Sequence, residues 1–192
     1  MKAIILAAGE GKRLMPYTSG IPKCMVEVEG RPLIQYQIDI LRKSNINDII
    51  IVKGHQGNKI KINGTKTFTN KRYYETNMVS SLFCAESELN GEVIISYGDI
   101  VYSDSILKKL IKSKHNISVA IDLEWKRYWM ERFENPLDDA ESMVLDNKGR
   151  IVDIGKPAQN YTQINGQYIG LMKFSSKGIK SLKKIFYKSK EA

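Results

Sequence analysis

Lys2 to Ala8 reads Lys-Ala-Ile-Ile-Leu-Ala-Ala and breaks at once into Gly9-Glu10-Gly11. A short aliphatic run closed by a glycine turn fits a strand covered on both faces, because strands inside parallel sheets carry unbroken apolar runs rather than alternation. Asp48 to Val52 and Glu92 to Ser96 repeat the pattern, and Ile117 to Ile121 adds a fourth run. Helical patterns lie between them. Arg31-Pro32 opens a stretch in which Leu33, Ile34, Tyr36, Gln37, Ile40 and Leu41 share one helical face. Met78 to Leu89 has the same spacing, and Asp104 can cap a helix running to about Ser113. Lys59 to Asn70 alternates weakly, as an irregular hairpin would. Strands alternating with helices imply crossover connections and an α/β fold with a doubly wound, mostly parallel sheet. Beyond Asp122 the pattern is less regular. Strands are expected there at Ser142 to Leu145, Arg150 to Ile154 and Gln167 to Phe174, followed by a lysine-rich helix.

At 192 residues with 42% hydrophobic side chains, the chain suffices for one well-packed domain and is short for two. No apolar run reaches the roughly 18 residues of a membrane span, and the N-terminal run is too short for a secretory leader, so a cytoplasmic protein is expected. Cys24 and Cys84 belong to no Cys/His ligand pattern and read as reduced structural thiols. The formal charge of +9 points to anionic partners. The lysines are scattered, with no arginine-rich arm and no RNA-reading aromatic motif. This favours small charged substrates such as nucleotides over nucleic acid or a membrane surface.

The segment Leu6-Ala7-Ala8-Gly9-Glu10-Gly11-Lys12-Arg13-Leu14 follows the first run directly, and small residues there let backbone N–H groups approach phosphate oxygens. A dinucleotide fingerprint would need glycine where Leu14 stands. A Walker loop would need glycine in place of Leu6 and Ser or Thr in place of Arg13. What remains is Gly-x-Gly-x-Arg-Leu, then Pro16, Thr18, Pro22-Lys23, Val28, Gly30 and Pro32-Leu33-Ile34. Over residues 4–34 this resembles the opening signature of the sugar nucleotidyltransferase superfamily. The resemblance implies a Rossmann-like nucleotidyltransferase fold in which Leu6, Ala7, Ala8, Gly9, Gly11 and Lys12 cradle the nucleotide. Arg13 and Lys23 would neutralise the triphosphate and the transferring phosphate as catalytic residues. Attack at an α-phosphorus requires in-line positioning and dispersal of charge growing on the pyrophosphate, which fixed cations and a metal supply.

Tyr97-Gly98-Asp99 closes the run from Glu92, so Asp99 stands at the carboxyl end of a buried strand, where open α/β sheets bind ligands. It matches the family's metal aspartate, with Gly98 beside it in the nucleotide site. The match implies Mg2+, which takes one or two protein carboxylates and completes its shell with phosphates and water. Relatives usually supply a second metal carboxylate from a strand further along the chain than Ala192. A longer natural protein or an incomplete site is therefore implied. Tyr74 to Leu82 lies where relatives place the base-reading loop, and Asn77, Ser80 and Ser81 can satisfy a pyrimidine edge without adding charge. Read without the resemblance, Thr76 or Asn77 would simply cap a helix starting at Met78.

Asp122 to Asp146 holds eight acidic and three basic residues, which reverses the sign of the local charge. Trp125, Tyr128, Trp129 and Phe133 are interleaved with carboxylates that include Glu134, Asp138 and Asp139, and the two features together favour a positively charged amine. Trp125 and Trp129, four apart, would equally make one buried helical face or a contact in a homodimer. With Trp125, the run Arg132 to Glu141, Gly155-Lys156 and Gly166 to Gly170 narrows the resemblance. It is similar to cytidylyltransferases of small phosphorylated or phosphonylated amines: phosphocholine, 2-aminoethylphosphonate or glutamine phosphate. By that likeness Lys156 would hold the acceptor phosphate, and Trp125, Trp129, Glu134, Asp138, Asp139 and Tyr168 would line the acceptor site.

The resemblance thus implies Mg2+-dependent transfer of CMP from CTP to such an acceptor, activating it for a surface polysaccharide or lipid. It implies one nucleotidyltransferase domain over 1–192, with either a longer natural C-terminal part or an incomplete metal site. The nucleotide-binding half would run to about 121, an acceptor-binding β insertion over about 122–175, and a terminal helix over 176–192. Three rivals stand beside it. A sugar-1-phosphate nucleotidyltransferase would differ in its acceptor, a nucleotide-binding regulatory subunit would lack turnover, and a nucleic-acid binder would lose affinity steeply with salt.

Overall fold

The aliphatic run at the N-terminus forms β1 (Lys2–Ala7), with Ala3, Ile4 and Ile5 fully buried. The computed structural model describes residues 1–191. A two-strand ribbon follows, β2 (Glu27–Val28) with β3 (Arg31–Pro32), and then α1 (Leu33–Lys43). Next come β4 (Ile49–Lys53), β5 (Lys66–Thr69), α2 (Met78–Phe83), β6 (Val93–Tyr97), α3 (Asp104–Lys112) and β7 (Ile117–Asp122). The remaining elements are α4 (Trp125–Arg132), β8 (Glu141–Leu145), β9 (Ile151–Pro157), β10 (Gln167–Phe174) and α5 (Ser176–Glu191).

Six strands form the main sheet in the order β5-β4-β1-β6-β10-β7. β1 pairs in parallel with β4 and β6, β4 pairs in parallel with β5, and β10 runs antiparallel to β6. The first crossover, through α1, leads from β1 to β4 on one side, and the later one, through α2, leads to β6 on the other. Such a reversal leaves a crevice beyond the carboxyl ends of the two strands it separates. Its floor is firm, because Ile4, Ile5, Ile49, Ile50, Ile51, Ile94 and Ile95 are at most 1% exposed. A fully buried aliphatic side chain of this size contributes about 2 kcal/mol.

The chain forms two compact units. One is Met1–Ser118 with the residues from Gly170 onward, and the other is Val119–Ile169. In the first, Ile4, Ile50, Val52, Leu82, Val93, Ile95 and Phe174 belong to one apolar cluster. The second unit contains α4 and the antiparallel hairpin β8–β9, around a small core of Trp125, Ala140, Ala158 and Ile164. Among the described residues no helix is long and apolar enough to cross a membrane. Cys24 is buried, Cys84 is exposed, and neither is in a disulfide.

Several local expectations are corrected. The buried stripe of α1 is Ile34, Gln37, Ile38 and Leu41. Tyr36 and Ile40 fall to its flanks, because Ile38 lies at the i+4 position from Ile34. Lys59 to Asn70 holds no hairpin. It begins at the last residue of a single-turn segment, Gly57–Lys59, and then forms β5, a parallel edge strand whose only apolar side chain, Phe68, is half-buried. The helix expected over Met78 to Leu89 ends at Phe83, and a second short turn at Glu86–Glu88 lets Leu82, Ala85 and Leu89 all enter the core. α4 occupies a stretch expected to be irregular.

Candidate active site

The chain leaves β1 into the glycine-rich loop, which borders a cleft of about 460 Å3 within the first unit. Gly11 has φ +68°, a left-handed conformation that disfavours side chains, and a Cβ there would lie 3.1 Å from both Thr18 and Lys23. Thr18, itself buried, donates its hydroxyl to the Gly11 carbonyl at 3.0 Å. The loop is thereby folded tightly against Lys23. At the end of the adjacent strand β6, Gly98 N–H donates to the Leu6 carbonyl at 2.8 Å, and a Cβ on Gly98 would lie 3.1 Å from Leu6 O and Ala7 Cβ. The end of β6 is thus drawn onto the end of β1, bringing Asp99 alongside the loop. Lys23 and Asp99 form an ion pair, each side chain about a third exposed at 34% and 29%.

Leu6, Ala7, Ala8, Gly9, Gly11, Lys12, Arg13, Lys23, Gly98 and Asp99 all line this cleft. Its two carboxylates among the lining residues are Glu10 and Asp99. Glu10 hydrogen-bonds to Lys12, with an N–O distance of 2.6 Å, and raises the ammonium above the usual lysine value. Among the described residues no cluster of three or more His, Cys, Asp or Glu side chains could hold a metal. Asp99 offers the hard oxygen donor that suits Mg2+ when phosphates complete the shell. Burial pushes the Cys24 thiol up to about 12, so it stays protonated and inert at neutral pH.

The opposite wall comes from the turn-rich segment 70–77 and the start of α2. Asn77 and Ser81 line the cleft, whereas Ser80 does not. Ser80 N–H instead donates to Asn77 Oδ1 at 3.0 Å, so Asn77 caps α2 and Ser80 is part of that cap. Tyr73, Thr76, Met78 and Tyr97 also line the cleft, although the sequence reading assigned none of them to the nucleotide. Tyr97 was within reach, since it directly precedes Gly98-Asp99. Tyr73 packs edge-to-face on His55, with ring centroids 5.6 Å apart, a contact no local pattern announces.

The residues expected at the acceptor lie in the second unit. Glu134, Asp138 and Asp139 are exposed, Asn135 Nδ2 donates to Asp138 at 2.7 Å, and Trp129 Nε1 donates to Asp139 at 3.2 Å. Lys156 on β9 is exposed and ion-paired with Asp153. Tyr168 is half-buried on β10. Of the two readings of Trp125, an acceptor contact or a buried helical face, the structure has the buried face. Trp125 is 4% exposed within the unit's core, at 6.0 Å from the Trp129 ring and 6.3 Å from Tyr161. The Arg132 guanidinium lies 5.1–5.5 Å from the ring centroids of Tyr128, Trp129 and Phe133. Cationic stacking there is already supplied from within the chain, because α4 ends with its own arginine beside its own aromatics.

A doubly wound sheet with a glycine loop, a lysine and a carboxylate gathered at the switch point defines a nucleotide-binding α/β domain. The fold is shared with an inositol-1-phosphate CTP transferase from T. maritima, at a TM-score of 0.71 and 23% identity over 93% of this chain and 72% of that one. The chain belongs to the MobA-like NTP transferase domain family, whose model matches residues 3–133. It is 44% identical over 186 residues to a CTP:phosphoglutamine cytidylyltransferase of Campylobacter jejuni, covering 91% of this chain and 73% of that protein. It is also 38% identical over 159 residues to a choline-phosphate cytidylyltransferase of Streptococcus pneumoniae, covering 79% and 67%.

Proposed function

We propose that this chain transfers CMP from CTP to a small phosphorylated amine of the phosphoglutamine or phosphocholine type. The observation that carries the reading is the convergence of the Gly9–Arg13 loop, Lys23 and Asp99 on one cleft. The relatives named for CTP give it direction. An acceptor phosphate oxygen forms a bond to the α-phosphorus, the bond from that phosphorus to the bridging oxygen breaks, and pyrophosphate leaves with the electron pair. Backbone N–H groups of the loop hold the phosphates, while Lys23 and Arg13 offset the charge that grows on the leaving group. Asp99 would hold Mg2+, and Lys23 would then turn from Asp99 to the phosphates. When bound, the ion supplies Lewis-acid polarisation of phosphate oxygens.

The exposed carboxylates Glu134, Asp138 and Asp139 are assigned to the acceptor amine, and Lys156 to its phosphate. Trp129 and Tyr168 border the same acceptor, and Trp125 supports them from the core. The product, a CDP- or CMP-linked amine compound, would be made in the cytoplasm for a surface polysaccharide or lipid. Pyrophosphate release, measured with each of CTP, UTP, GTP and ATP against phosphorylated amines and sugar phosphates, tests the reading. CTP with a phosphorylated amine is the expected pair. Release with sugar 1-phosphates alone would reassign the acceptor, and nucleotide binding without release would make the chain a regulatory subunit.

Asp99→Asn is expected to weaken CTP binding in Mg2+ more than in chelator, since an amide oxygen is the poorer ligand for a hard dication. Calorimetric titration under both conditions measures it. Equal losses would mean that Asp99 serves only to hold Lys23.

A further inference from the structure

The base-side wall of the cleft has hydrogen-bonding directions set by its own network. Asn70 is 4% exposed, and its side-chain amide is fully engaged. Arg72 backbone N–H, which can only donate, gives its hydrogen to Asn70 Oδ1 at 2.9 Å, so the amide nitrogen must face the other way. Nδ2 then donates to Thr76 Oγ1 at 2.8 Å and to Ser81 Oγ at 2.9 Å. Each hydroxyl has one proton, and each directs it to a backbone carbonyl: Thr76 to Arg72 at 2.8 Å, Ser81 to Asn77 at 3.3 Å. Only acceptor capacity remains on the two oxygens. Asn77 is set the opposite way, because its Oδ1 accepts from Ser80 N–H and leaves Nδ2 as a donor. Thr76, Asn77 and Ser81 all line the cleft.

We infer that this preset pattern, acceptors at Thr76 and Ser81 and a donor at Asn77 with Asn70 as the positioning residue behind them, selects CTP over UTP. The inference rests on the nucleotide cleft proposed above. A cytosine edge offers an amino donor beside a ring-nitrogen acceptor, which this wall complements. Uracil offers a carbonyl acceptor beside an N–H donor, and would set acceptor against acceptor and donor against donor. Groups mismatched in this way lose water without gaining a partner, which discriminates more strongly than shape alone.

The test is kcat/KM and Kd for CTP and UTP, with one phosphorylated amine as acceptor, in the wild type, Asn77→Asp and Asn70→Ala. Asn77→Asp keeps an oxygen to cap α2 but replaces the donor with an acceptor. The CTP-to-UTP ratio is expected to fall at least about tenfold. Asn70→Ala removes the donor that holds both hydroxyl oxygens in place and keeps their protons turned to the carbonyls, and the ratio falls in the same direction, whereas a merely structural Asn70 would weaken both nucleotides equally. Should Asn70→Ala fail to fold, Asn77→Asp decides by itself. A wild type that prefers CTP, with ratios unchanged in the variants, overturns this inference and leaves nucleotide transfer standing. A wild type indifferent between CTP and UTP overturns it too. A wild type that binds and turns over neither overturns the transfer reading itself.

Discussion

Lys23→Ala is expected to lower turnover by at least about a hundredfold, because in the proposed reaction it removes the charge that offsets the leaving group's. The fold should survive. Lys23 lies on a one-turn segment, Lys23–Met25, whose buried residue is Cys24, and its own side chain is a third exposed. The pair it forms with Asp99 stands at the cleft rim, where an ion pair contributes at most about 1 kcal/mol to stability. The melting temperature should therefore move little while kcat collapses. Arg13→Ala should act in the same direction, and Arg13→Lys should restore only part of the rate if the guanidinium grips phosphate through two parallel bonds. Steady-state kinetics with thermal melting on the same samples measure this. Near-normal turnover in Lys23→Ala would remove Lys23 from the chemistry and leave it as a partner of Asp99.

The parts of the fold and cleft that were legible in sequence are those set by local chemistry. β1 and the loop after it are one continuous signal, since an aliphatic run must end where Gly9 and Gly11 let the backbone turn. Asp99 was legible for the same reason, at the end of a second such run. β5 was not, because an edge strand with one half-buried apolar side chain owes its existence to its partner β4. α4 buries only Trp125, so its other positions, exposed or half-buried, show no apolar stripe to read. Asn70 shows a deeper limit. A single buried amide joins Arg72, Thr76 and Ser81, and nothing in a linear pattern distinguishes it from an exposed turn residue.

Trp125→Ala is expected to destabilise the second unit by about 3 kcal/mol or more, the usual consequence of emptying the space of a buried aromatic ring. Trp125 is the largest member of a core otherwise built from Ala140, Ala158 and Ile164, with Trp129 and Leu137 packed at its margin. Little else in that cluster can move in to fill the void. Asp138→Asn and Asp139→Asn should behave differently. Both residues are exposed, and an amide oxygen can still accept from Asn135 and Trp129, so stability should stay within about 0.5 kcal/mol of wild type. If these carboxylates face the acceptor amine, each variant should raise the acceptor KM by about threefold, the scale of a solvent-screened charge pair. CTP affinity, assigned by the proposal to the first unit's cleft, should not change. Melting curves, CTP titrations and acceptor kinetics on the three variants separate a core residue from a recognition surface. Acceptor kinetics left untouched by both aspartate variants would remove the amine from these carboxylates and put sugar phosphates forward as the acceptor.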